Sequence, residues 1–193
     1  GVGGVEINMN WLQPPASEIR LVLADGDPST LEVYADGNTT PLQTTPLFNA
    51  SDPYYDIEVI GLTDDPDTLI VDNTFGVINF SQQSTVTDPL KIDYDGKGGD
   101  NVLKIIGTPG AIELERYDTV EQTITFDVTT ANAGDEELIS FDSVSRIEDS
   151  KGVSGTFEIL ATPNADTIDI STSTTGTLVE FDGGATPIDF TGK

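Results

Sequence analysis

Residues 95–106 read DGKGGDNVLKII, two acids, three glycines and a lysine in six positions ahead of an apolar run. Set against the calcium-binding nonapeptide GGxGxDxUx, Gly96, Gly98, Asp100 and Val102 match, and Asp95 stands where the first glycine would be. Glycine lets such a loop fold tightly enough for carbonyl oxygens to face a cation, and aspartate adds a charged oxygen. The candidate metal ligands are therefore Asp95 and Asp100, with the carbonyls of Gly96 and Gly98, and the ion is Ca2+. Because calcium takes about 6–8 oxygens, one loop supplies half a shell and a stacked loop must supply the rest. Asp64-Asp65-Asp67 and Asp135-Glu136-Glu137 are the candidates for that second loop. The competing reading is a glycine corner kept soluble by its acids.

Other chemistries fit less well. A phosphate loop needs GxxxxGK[ST] between strand and helix, whereas Lys97 sits between glycines with a strand after it. Paired carboxylates could cleave glycosides, yet 34 acids in 193 residues make accidental pairs unavoidable. A lyase would also need a positioned cation, and Arg116 and Arg146, the mid-chain arginines, read as surface ion-pair partners. No catalytic residue is assigned. Trp11, Tyr54 and Tyr55 could stack on a sugar, although a lone tryptophan more often covers a core. Asn38, Asn49 and Asn79 lie in N-x-S/T sites.

Composition narrows the field further. The chain lacks Cys and His, which excludes disulfides, thiolate or imidazole metal sites and imidazole catalysis. A formal charge of −26 repels phosphate backbones, so nucleic acid is not an expected partner, and it opposes compaction unless salt or divalent cations screen it. No run approaches the ~18 apolar residues of a membrane-spanning helix, so no membrane insertion is expected. The start, GVGGVEINMNW, has neither the basic nor the apolar region of a signal peptide.

Whatever positions these residues is built from strands. Short segments rich in β-branched residues alternate with period two: IRLVL (19–23), LEVY (31–34), DIEVI (56–60), TLIV (68–71), LKIDY (90–94), IELE (112–115), TITFDV (123–128), ISF (139–141), FEIL (157–160), TIDIS (167–171) and LVEF (178–181). Alternation assigns Leu69, Val71, Leu90, Ile92, Tyr94, Ile112, Leu114, Ile124, Phe126, Ile139, Phe141, Phe157, Ile159, Ile168 and Ile170 to inner faces. Asp-Gly, Pro-Gly and Gly-Gly pairs punctuate the strands.

A small or acidic residue followed by a polar and an aliphatic run recurs at Ser29, Asp67, Asp100, Asp135 and Asp166, with spacings of 38, 33, 35 and 31 residues. Quasi-periods of this size indicate stacked units, and three strands with three corners fill one turn of a three-sided parallel β-helix. The expected fold is all-β, an elongated parallel β-helix or solenoid-like module spanning residues 1–193. The alternative is an antiparallel Ig-like β-sandwich.

The fragments SEIRLVLADGDPSTLEVYADG, DIEVIGLTDDPDTLIVDNT, PLKIDYDGKGGDNVLKIIG and GTFEILATPNADTIDISTSTTGTLVEFDGGATPIDFTGK resemble repeats of giant surface or secreted β-solenoid-like proteins of planctomycetes and related environmental bacteria. The similarity runs from about Ser17 onward. It departs where DDPDTL and PNADTI replace glycine-rich corners. The resemblance implies an exported, extracellular or cell-surface module with a structural, matrix or fibre role, and no catalytic residues. A carbohydrate- or cell-surface-binding adhesin domain is the alternative function, with surface polysaccharide as its partner; a polysaccharide-active enzyme is a remote third. The abrupt ends predict a piece of a longer chain or a fibre subunit, joined end to end with neighbouring copies or repeats through residues 1–16 and 176–193.

Overall fold

Strict alternation of branched apolar and polar residues gives each segment one wet and one dry face, and the computed structural model pairs the dry faces across two sheets. It describes residues 4–47, 56–79, 90–107, 112–128, 136–150, 156–160, 168–172, 176–181 and 186–190. Among these lie sixteen strands: β1 (Val5–Asn8), β2 (Glu18–Ala24), β3 (Asp27–Ala35), β4 (Gln43–Pro46), β5 (Asp56–Ile60), β6 (Thr68–Asp72), β7 (Leu90–Asp95), β8 (Val102–Ile106), β9 (Ile112–Asp118), β10 (Thr123–Val128), β11 (Glu136–Asp142), β12 (Arg146–Asp149), β13 (Thr156–Leu160), β14 (Ile168–Thr172), β15 (Thr177–Phe181) and β16 (Ile188–Phe190). A single 3-10 turn, Met9–Trp11, links β1 to β2. The described residues are all-β and form two mixed sheets with no closed barrel among them.

The first sheet has the order β1-β5-β7-β11-β10-β9-β13 and the second β14-β15-β16-β12-β8-β6-β2-β3-β4. Within them β1, β5, β7 and β11 form one parallel block, and β2, β6, β8, β12 and β16 another. The chain passes from the first block to the second four times, β1 to β2, β5 to β6, β7 to β8 and β11 to β12, each such passage a short corner. Antiparallel strands flank the blocks: β3 and β4 beside β2, β10 and β9 beside β11, and β15 and β14 beside β16. Two sheets replace the expected three-sided turn.

In-register pairing, parallel except between β10 and β11, stacks like residues. Ile57, Ile92, Ile139 and Ile124 stand opposite one another in successive strands of the first sheet, as do Ile19, Leu69, Leu103, Ile147 and Ile188 in the second. All are buried, and the residues of both sheets merge into one apolar cluster. Each such side chain stabilises the fold by about 1.5–3 kcal/mol.

Of the expected inner residues, Leu69, Val71, Leu90, Ile92, Tyr94, Ile124, Phe126, Ile139 and Phe141 are buried. β9 departs from its pattern. Leu114 is half-buried, while Glu115 and Tyr117 on the opposite face are buried, because the register with β10 sets Tyr117 against Ile124 and Glu115 against Phe126. Phe157 is 38% exposed although its ring meets Tyr117 and Phe190, and Ile159 packs only partly against the core. The side chains of Ile112, Ile168 and Ile170 lie outside the described residues.

The repeat anchors also sort themselves out. Pairing sets Thr68 against Val102, which makes Asp67 equivalent to Asn101, one residue past Asp100. Ser29 lies in β3, an antiparallel strand, and residue 135 precedes a strand of the other sheet, so neither is structurally equivalent to Asp67.

Candidate functional site

The corner between β7 and β8 carries the residues singled out from the sequence. Gly61 N donates to Asp95 O (2.8 Å), and Gly96 N donates to Asp142 O (3.0 Å). On the far side of the corner, Thr68 N donates to Ser17 O, Val102 N to Asp67 O and Ser145 N to Asn101 O. Successive corners are therefore stacked by backbone hydrogen bonds. A Cβ placed on Gly99 would lie 2.9 Å from the Asp65 carbonyl, which shows how closely residues 61–67 abut residues 96–101. Of the two expected partner loops, that at Asp64-Asp65-Asp67 is brought to the corner. Glu136 and Glu137 instead belong to β11, and Asp135 lies outside the described residues.

Inside the corner the carbonyls face an amide. Asn101 Nδ2 donates to Gly96 O (2.7 Å), Gly98 O (2.7 Å) and Ser143 O (2.9 Å). Its Oδ1 accepts from Asp67 N (3.1 Å). Asp95 Oδ1 accepts from Lys97 N (3.0 Å) and its other oxygen meets the Lys97 ammonium, while Asp100 is exposed. Among the described residues no three or more acids converge as a metal-holding group. The chain turns through Lys97 (φ 60°), Gly98 (φ 130°) and Gly99 (φ 91°), a left-handed run that glycine accommodates.

Several carboxylates are buried between the sheets. Asp67 Oδ2 accepts from Leu62 N (2.7 Å), and its Oδ1 accepts from the Tyr94 hydroxyl. Burial pushes the Asp67 carboxyl above its ordinary value, the two hydrogen bonds opposing, and burial beside this carboxylate pushes the Tyr94 phenol up. Tyr117 donates likewise to Asp149, and burial with Asp149 and Glu115 nearby raises its pKa. Glu137 accepts from Ile78 N (2.6 Å) and Asn73 Nδ2 (3.2 Å), clamping the segment after β6 onto β11.

The described cations face outward. Arg20 pairs with Asp72, Lys91 with Asp93, Lys104 with Glu148, Arg116 with Glu158 and Arg146 with Glu148. Arg116 and Arg146 are thus surface ion-pair partners, as expected of them. A cleft beside Tyr117, Asp118, Phe141, Ile147 and Ile188 contains one carboxylate, and Asp118 Oδ1 accepts from Val120 N and Glu121 N, capping a turn.

Trp11 is 72% exposed, so it does not cover the core as expected. The corner carrying it leaves its indole in solvent. Asn79 is buried, which removes it as a surface acceptor, and Asn38 is exposed. Tyr54, Tyr55 and Asn49 lie outside the described residues. Asn101, Asp67 and Tyr94 were missed as a set. The available signal was that Asp67 and Asn101 each stand immediately before a short aliphatic strand.

No protein-family model matches the chain, and no curated protein or solved structure matches it either.

Proposed function

We propose that this chain is a two-sided β-solenoid that serves as an architectural module of a bacterial extracellular surface, matrix or fibre protein. The observation that carries this reading is the pair of parallel blocks, in which each passage of the chain adds one strand to both sheets and one corner to a stack. A solenoid built this way is extensible, because every rung presents the backbone groups that the next one pairs with. The edges of the first sheet are β1 and β13, and those of the second are β4 and β14. End-to-end junctions with neighbouring copies then use β1 at one end, within residues 1–16. At the other they use β13 and β14, since β15 and β16, within residues 176–193, are flanked on both sides. Small-angle scattering tests the architecture: a rod-like profile supports it, and a near-spherical particle overturns it.

One observation favours the adhesive reading as a second. Trp11 is exposed at a corner and is the sole tryptophan, so it could stack on a sugar ring and its fluorescence would report it. Quenching or a spectral shift on titration with surface polysaccharide, absent with a charge-matched non-sugar polymer, would support that reading. An unchanged spectrum would remove it.

A further inference from the structure

The donor set of the 95–101 corner does not fit a cation at its carbonyl oxygens, and we infer that the Asn101 side-chain amide is the built-in occupant of that position, holding together a cage that calcium-type loops close with an ion. Three carbonyl oxygens converge on one nitrogen, two from the corner itself and one, Ser143 O, from the corner stacked on it. Three carbonyl dipoles aimed at one point repel unless something positive sits there. A cation does this with oxygens at about 2.3–2.6 Å. The amide does it with two partially positive protons shared among oxygens at 2.7–2.9 Å.

Two further contacts fix the assignment. Asp67 N donates to Asn101 Oδ1, so the amide cannot turn its oxygen into the cage without placing the amino group against another donor. A Cβ on Gly96 would stand 2.4 Å from Asn101 Nδ2 and 2.7 Å from Ser143 O, so the backbone here is drawn in to the size of the amide. The motif aspartate, Asp100, is exposed beside the cage, and Asp95 is engaged by Lys97. Asn101 therefore links three successive corners, at Asp67, Gly96 and Ser143, without an ion.

The consequence is that closure of this corner is independent of divalent cations, and that Asn101→Asp makes it dependent on them. The variant carboxylate still accepts from Asp67 N but turns a second oxygen toward three others, an arrangement that an oxygen-seeking cation such as calcium relieves. The test compares the melting of wild type and Asn101→Asp in chelator, in calcium and in magnesium at equal ionic strength. Alongside it, hydrogen exchange of the Asn101 side-chain amide is followed by NMR in the wild type. Expected are equal responses of the wild type to both ions, a lowered melting temperature of the variant in chelator that calcium restores more than magnesium, and slow exchange of the Asn101 amide protons. A saturable, calcium-selective rise in the wild type that Asp100→Ala abolishes would overturn the inference. So would a variant that melts with the wild type in chelator, or a folded variant that calcium fails to restore. Should the variant not fold, wild-type exchange decides: protons exchanging as fast as those of a free amide would overturn the inference as well.

Discussion

The hydroxyl of Tyr94 in β7 donates to Oδ1 of Asp67, the residue leading into β6, and so ties one sheet to the other through a buried carboxylate. Removing the hydroxyl leaves Asp67 with only the Leu62 amide among its two hydrogen-bond donors. Tyr94→Phe is therefore expected to cost about 1.5–3 kcal/mol, the usual worth of a hydrogen bond to a charged group. Urea unfolding of the variant checks this, and a midpoint equal to that of wild type would contradict it.

The same carboxyl makes stability depend on pH. Burial, partly opposed by Tyr94 and Leu62, raises the folded-state pKa of Asp67 above the ordinary aspartate value. The folded protein thus binds this proton more tightly than the unfolded chain does. Its contribution is present in full below about pH 4 and is lost as pH rises through the folded value. Asp56 and Glu136 shift in the same direction, chiefly through burial, but they are more exposed and weigh less. Asp67→Asn can keep both contacts, because the tyrosine hydroxyl can turn to accept from the new amide. It should flatten the decline in melting temperature above about pH 4. An unchanged profile would rule out Asp67 as its source.

Phe126 lies between Glu137 of β11 and Glu115 of β9 in one inward row and is fully buried. Phe126→Ala should cost about 3–5 kcal/mol. Leu114→Ala, on the half-buried face of β9, should cost far less. Equal losses in denaturant unfolding would mean that the β9 face had been assigned the wrong way round.

The contrast shows what the sequence made readable. All eleven alternating segments coincide with strands, Thr167 alone lying outside the described residues, since a period of two is a local property. β4 (QTTP) and β12 (RIED) carry too few apolar residues for that signal, and neighbouring strands impose their conformation: β12 is held between β8 and β16. The facing of β9 follows from its partner β10, which no local pattern contains. At the corner, the glycines and acids of a calcium-type loop were visible. The role of Asn101 was not, because it depends on Ser143, 42 residues away in sequence.

Parallel pairing has an electrostatic consequence on the outer face. Glu6, Glu58 and Asp93 stand in register on β1, β5 and β7, about 4.8 Å between strands, in a chain of net charge −26. Like charges directly opposite one another cost roughly 0.2–1 kcal/mol per pair. Glu58→Gln, in the middle of the row, should raise stability by about that much at low salt, and the gain should shrink in about 1 M sodium chloride, where the screening length is ~3 Å. A variant less stable than wild type at low salt would show that the row is held by other interactions.

The same repulsion governs association at the sheet edges. β13 ends the first sheet, with Leu160 41% exposed, and its register with β9 sets Leu160 beside Asp118, on the face opposite to Ile159 and Tyr117. An edge strand with an exposed leucine invites another strand, whereas a lysine there discourages it. If the proposed end-to-end junction uses this edge, the wild type should associate with rising concentration once salt screens its charge, and Leu160→Lys should remain smaller under the same conditions. The lysine replaces an outward side chain, so the core and the melting temperature should be nearly unaffected, which separates lost association from lost folding. Sedimentation velocity across protein and salt concentrations reads both species directly. Wild type that stays monomeric throughout, or a variant that associates equally well, would exclude β13 as the junction.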